Sequence, residues 1–128
     1  FYFTLINDHR SIILMRNLII GALLFTLGQS LIWIQTNGQF IWPWFKKNPW
    51  LISFGFGGVI SYILIRATAY VASYYDGLLW PGRFIGFSTG IFIFTFLTYY
   101  FMKEGINLKT AISLVLAFAL ISVQLFWK

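Results

Sequence analysis

The sequence predicts an all-α protein, an integral membrane bundle of four transmembrane helices forming a single domain over residues 1–128. Three observations carry that prediction. Only 9% of the residues are charged, against 59% hydrophobic and 22% aromatic, whereas a soluble domain this small must cover a large surface with polar groups, roughly a quarter of its residues being charged. Four apolar segments reach or approach the ~20 residues that cross a hydrocarbon core about 30 Å thick. Segments such as ISLVLAFALISVQLF lack the apolar-out, polar-in alternation of membrane strands, so the spans are helical.

The first span is expected over residues 14–34, ending at the turn-forming TNGQ of residues 36–39. The stretch FYFTLINDHRSIIL precedes the first methionine, Met15, and MRNLIIGALLFTLG has the form of a natural chain start, with one positive charge before an apolar core. No small-x-small cleavage site follows, so the segment reads as a span rather than a signal peptide. The second span is expected over 49–70, with Pro49 suited to a first helical turn. The third runs over 83–102, after the breaker WPG at 80–82, and the fourth over 108–127.

The segment LISFGFGGVISYILIRATAYVASYY, residues 51–75, holds a single charge, Arg66. Counted from Trp50, Arg66 lies about 24 Å along a helix. That depth is close to the far interface, where the side chain reaches headgroups; the alternative is an arginine facing a cavity or pairing with Asp76. Aromatic residues gather where helix ends meet headgroups: IWPWF at 41–45, Trp50, Trp80, Tyr99, Tyr100 and Trp127. Such rings prefer that depth because an apolar body carries a polar tip, which makes them an anchor belt. A stacking platform for a planar or cationic ligand is the other reading.

The formal net charge is +6, but the basic residues sit singly between apolar runs. Nucleic-acid binding needs them clustered on a face, so the lipid bilayer, through its anionic headgroups, is the expected partner. With four spans, Arg10, Arg16, Arg66, Arg83 and Lys128 fall on one side and Lys46, Lys47, Lys103 and Lys109 on the other. A count this balanced sets no orientation by the positive-inside rule, and is what insertion in both orientations, or a topology set by a partner, would give.

Several chemistries are excluded. The chain has no cysteine and a single histidine, His9, with one carboxylate, Asp8, beside it; neither a thiolate nor a metal site is expected. The carboxylates Asp8, Asp76 and Glu104 lie outside the middles of the spans, so the usual proton relay of pumps is missing. There is no paired carboxylate, serine–histidine–acid set, phosphate-binding glycine loop or HExxH. The protein is not expected to be an enzyme, and no cofactor is expected.

Small and polar residues supply the candidates that remain. Gly82, Gly86 and Gly90 recur every four residues in the third span, a ridge on which another helix can pack closely, within the chain or between copies. Ser113 and Ala117 repeat the spacing in the fourth. Serine and threonine hydroxyls can return to backbone carbonyls. Gln29 cannot do so easily, and is the best polar anchor for a ligand or a neighbouring helix. The expected substrate-binding face carries Thr26, Gln29 and Ser30, with Tyr62 and Arg66 as contacts from the second span.

ATAYVASYYDG at 67–77, the apolar segment after it, and YYFMKEGINLKTAISLVLAFALISVQ at 99–124 resemble the helix 2–3 junction and the helix 3–4 hairpin of small four-helix members of the drug/metabolite transporter superfamily, which includes the small multidrug resistance proteins. IGALLFTLGQSLIWIQTNGQF at 20–40 is similar in spacing to their first helix and its turn. The resemblance touches most of residues 17–127. It implies a small transporter moving a solute across the bilayer as a dimer. Thr26 stands where the small multidrug resistance proteins carry an essential glutamate, the fourth span has alanine and serine where theirs has glycines, and LLWPGR at 78–83 implies a longer 2–3 connection.

The expected function is therefore transport of a small, weakly polar or anionic solute by a homo-oligomer, in a multi-pass protein of the cell inner membrane. The alternative is a non-catalytic transmembrane subunit working with partner membrane subunits. A narrow channel, the third reading, needs a pore-lining ring of polar groups in an oligomer.

Overall fold

The computed structural model describes residues 2–127. It is 89% helical, with no strand among the described residues, and four of its helices are long and apolar enough to cross a membrane.

Helix α1 spans Tyr2–Asn37, about 54 Å of helix, and so exceeds a hydrocarbon core of about 30 Å. It starts well before the expected residue 14 because residues 4–20 contain neither glycine nor proline to stop it. The polar run Asn7–Arg10 lies on this exposed extension.

A 3-10 turn, Gly38–Phe40, leads into a short helix α2, Pro43–Lys47, which the sequence reading treated only as part of the aromatic belt. Trp42 is extended, φ −113° and ψ 122°, as the residue before a proline prefers. Gly38 is buried because Phe45 packs over it; a Cβ there would lie 2.6 Å from the Phe45 ring.

Helix α3 spans Pro49–Tyr74 and ends four residues later than expected. The stop is the turn at Asp76 and Gly77, whose φ of 56° and 86° are left-handed. Gly77 N–H donates to the Ala72 carbonyl at 2.8 Å, closing the helix end.

Helix α4 spans Trp80–Met102, so Trp80, Pro81 and Gly82 begin the helix rather than break it. A proline in the first turn loses no intrahelical hydrogen bond. The 2–3 connection, residues 75–79, is correspondingly shorter than the gap between the expected spans. Helix α5 spans Leu108–Phe126; the Asn107 side chain caps it, accepting from Thr110 N–H at 2.9 Å.

Helix α1 lies at the centre, packed along both α3 and α4, while α5 packs along α4. The α1–α3 approach is set by Gly21 and Gly28. A Cβ at Gly21 would lie 2.6 Å from Val71 and 3.2 Å from the Ala67 carbonyl, and one at Gly28 would lie 3.0 Å from Leu64. The core contains Phe25, Ala67, Val71 and Ile85, with Leu18, Leu24, Leu64, Tyr75 and Leu125 packed around it. Without a hydrophobic drive between helices in lipid, such close backbone approach and interhelical hydrogen bonds hold the bundle.

Polar side chains pin α4 to its neighbours. Buried Ser88 donates to the Ala117 carbonyl of α5 at 3.2 Å. Trp33, only 2% exposed, donates its indole N–H to Thr98 Oγ1 at 3.0 Å and stacks on Phe101 at 5.5 Å between ring centroids. Trp33, which lies outside the expected anchor belt, is thus internal, whereas the belt residues Trp50, Trp80 and Trp127 are exposed at helix ends.

Candidate functional site

Because α5 packs along α4 alone, a space opens between α5 and α3. It forms a groove of about 920 Å³, with Phe25 and Gln29 of α1 and one face of α4 as its floor, Leu64 and Thr68 of α3 on one wall, and Lys109, Thr110 and Ser113 of α5 on the other. The α4 face is the stripe that recurs every three to four residues from Leu79 to Thr95, about 24 Å of helix at about 1.5 Å per residue. The groove therefore runs most of the depth of a ~30 Å hydrocarbon core.

Its depth has a sequence origin. Gly82, Gly86 and Gly90 all line it, and two of them also receive α1: a Cβ at Gly86 would lie 2.9 Å from Phe25, and one at Gly90 would lie 2.8 Å from Gln29 Oε1. A Cβ at Gly82 would meet Val71 at an ordinary 3.7 Å. The ridge thus packs against helices of its own chain, and its missing side chains leave the floor open.

The polar groups of the groove are few. Gln29 Nε2 donates to the Gly86 carbonyl at 3.3 Å. Thr68 and Thr95 each return their hydroxyl to the carbonyl four residues back, Leu64 and Ile91, at 2.8 Å. The charged residues in the lining are Arg83, in the first turn of α4, and Lys109, in the first turn of α5, and no carboxylate joins them. Since α4 and α5 run antiparallel, the two cations stand at opposite ends.

The residues expected to bind substrate separate. Gln29 is in the groove. Thr26 and Ser30 donate instead to the carbonyls of Ala22 and Thr26, at 2.9 and 2.8 Å, and neither lines the groove. Tyr62 is exposed on α3. Arg66 is exposed too, its guanidinium 5.4 Å from the centre of the Tyr70 ring with Nη2 at 3.5 Å from the Tyr70 hydroxyl. That pairing, one turn toward the end of α3, suits an arginine reaching for the interface. Neither a cavity nor Asp76 engages it.

Arg83 and Lys109 were read in the sequence only as topology charges. The signal that could have found Arg83 is its position: it is next to Gly82, on the edge of the α4 face that the glycines mark. Lys109 had no such marker, because its place in the groove depends on how α5 folds back.

No group of His, Asp or Glu that could hold a metal ion occurs among the described residues. No family model, curated protein or solved structure matches the chain.

Proposed function

We propose that this multi-pass membrane protein is a small transporter-like protein whose ligand site is the groove along α4, acting on a weakly polar or anionic molecule as a homodimer. The observation that carries the reading is the groove itself, lined through most of the bilayer depth by all four long helices, with a cation at each end and the Gln29 amide between. The sequence resemblance to small drug/metabolite transporters supports it. Thr26, in place of a glutamate, argues against proton-coupled export of cations, because no carboxylate is present there to exchange proton and substrate.

The test is flux. Protein reconstituted in liposomes is assayed for uptake, into the lumen or the inner leaflet, of a panel of labelled small carboxylates, inorganic phosphate and short-chain anionic phospholipids, with Ser113→Trp as a plug in the groove. Uptake of a panel member that the plug abolishes supports the reading; uptake no greater than in protein-free liposomes across the panel counts against it.

A second reading, a subunit of a larger membrane complex, is favoured by α5, which buries Ala117 but leaves Leu116, Phe118 and Val115 exposed. Stoichiometric partners that co-purify in mild detergent would support it.

A further inference from the structure

We infer that the ligand of the α4 groove is an anionic phospholipid, its phosphate seated at Arg83 or at Lys109 according to leaflet and an acyl chain laid along the α4 face. The inference rests on the groove being the ligand site, and names the class of molecule that the site takes.

Charge and polarity divide the groove into three zones. Arg83 and Lys109 supply positive charge at the two ends, and no carboxylate lines the groove to neutralise it: Asp76 and Glu104 are in the adjoining turns but outside the lining. Between the cations the surface is Phe25, Leu64, Phe87, Ile91 and Phe94 over a glycine floor. The middle offers little to an ion, because the Thr68 and Thr95 hydroxyl protons are directed to carbonyls of their own helices and the Gln29 amide donates to Gly86. An isolated small anion moved there would lose its hydration with almost nothing in return. An acyl chain loses nothing.

The groove also opens sideways. Leu79 just before α4, Arg83, Phe87 and Phe94 on α4, Thr68 on α3 and Lys109 and Ser113 on α5 are all exposed, so a chain can enter from the bilayer without passing through water. The cations meanwhile stand in the first turns of α4 and α5, from which a long basic side chain can reach the headgroup level of its own leaflet. Cationic ends with an apolar middle, open to lipid, match one molecule type: an amphiphile with an anionic head. Basic residues near a membrane surface attract anionic lipids.

The experiment uses the full chain in vesicles of equal phosphatidylglycerol and phosphatidylcholine with identical acyl chains, followed by extraction in mild detergent and native mass spectrometry of retained lipid. The expected result is preferential retention of phosphatidylglycerol. The double variant Arg83→Gln/Lys109→Gln should lower that preference about fivefold, each single variant less because the other end still holds a phosphate, and Ser113→Trp or Thr68→Trp, plugs on opposite walls, should displace lipid of both kinds. Both plug positions are exposed, so a folding defect in one leaves the other to decide.

Equal retention of the two lipids, with both plugs still displacing them, would overturn the anionic-lipid inference and leave the groove as a ligand site. Retention that neither plug alters would overturn both. Inorganic phosphate at millimolar concentration should not release the bound phosphatidylglycerol; release would assign the cations to a soluble anion and overturn the lipid as source.

Discussion

Gln29 Nε2 donates to the carbonyl oxygen of Gly86 at 3.3 Å, a contact that fastens α1 to α4 at the level of the groove floor. The same amide limits Gly90 from its other side, since a Cβ there would lie 2.8 Å from Oε1. One side chain thus spans two roles, helix contact and groove lining, and substitutions at Gln29 should be read with both in mind. Gln29→Leu should leave folded protein in the membrane, because interhelical hydrogen bonds in lipid average only about 0.6 kcal/mol. It should abolish movement of whatever solute the flux assay identifies; unchanged flux in folded Gln29→Leu would remove Gln29 from the site.

The glycine floor predicts a graded series. Gly86→Ala should destabilise by about 1–3 kcal/mol, since its Cβ would lie 2.9 Å from Phe25. Gly82→Ala, with its Cβ at 3.7 Å from Val71, should be close to neutral. Trimming the opposing ring in Gly86→Ala/Phe25→Leu should recover part of the loss. Unfolding midpoints in a denaturing-detergent titration check all three, and equal midpoints for the two alanine variants would contradict the packing described.

Thr98 should matter through its hydroxyl. Thr98→Val keeps the shape but leaves the buried Trp33 indole N–H without its acceptor, for an expected loss of about 0.6–1.7 kcal/mol. Thr98→Ser keeps the acceptor and should retain most of the stability. A serine variant as unstable as the valine one would show that the methyl group, not the hydrogen bond, matters here.

Tyr75, in the turn after α3, has a buried hydroxyl with no hydrogen-bond partner among the described residues. Burial raises its phenol above the ordinary value of 10.0, and the neighbouring Tyr74 adds to the rise. The folded state therefore holds the proton more tightly than the unfolded one, so stability should fall as pH rises above about 10. Tyr75→Phe removes the unpaired hydroxyl and should be neutral or slightly stabilising at pH 7, with a weaker alkaline decline. A marked loss of stability at pH 7 would mean the hydroxyl has a partner in the bilayer.

The four spans were legible because composition and length act locally: a residue-by-residue apolar run of ~20 positions has few other structures available to it in lipid. Their boundaries were less so. Trp80-Pro81-Gly82 carries the marks of a breaker, yet proline is harmless in a first turn, and which role it plays depends on where the helix begins. The first span was placed from residue 14, but a helix can continue beyond a span when no glycine or proline interrupts it. Helix α2 was invisible because five residues hold a helical turn only when Phe45 has Gly38 and Phe56 to pack against.

For the candidate site, Gln29 was legible as a polar side chain with no local carbonyl to satisfy it. Thr26 and Ser30 shared its helix but bond within it, and the sequence could not say which hydroxyls would turn inward. The glycine spacing marked the α4 face, and only the pairing of that face with Phe25 and Gln29 shows which helix it admits.

Sequence by itself determined that this is a helical chain of four membrane-length spans with no thiol or mid-span carboxylate, because each of those properties belongs to residue types and their spacing. Tertiary structure decided that α5 packs on α4 apart from α3, and hence that Arg83 and Lys109, distant in the chain and unremarkable in it, stand at the two ends of one groove. The reason is physical: all four spans are apolar on most faces, so hydrophobicity cannot rank their pairings, and the choice falls to close contacts such as Gly21 with Val71, Gly86 with Phe25 and Ser88 with Ala117.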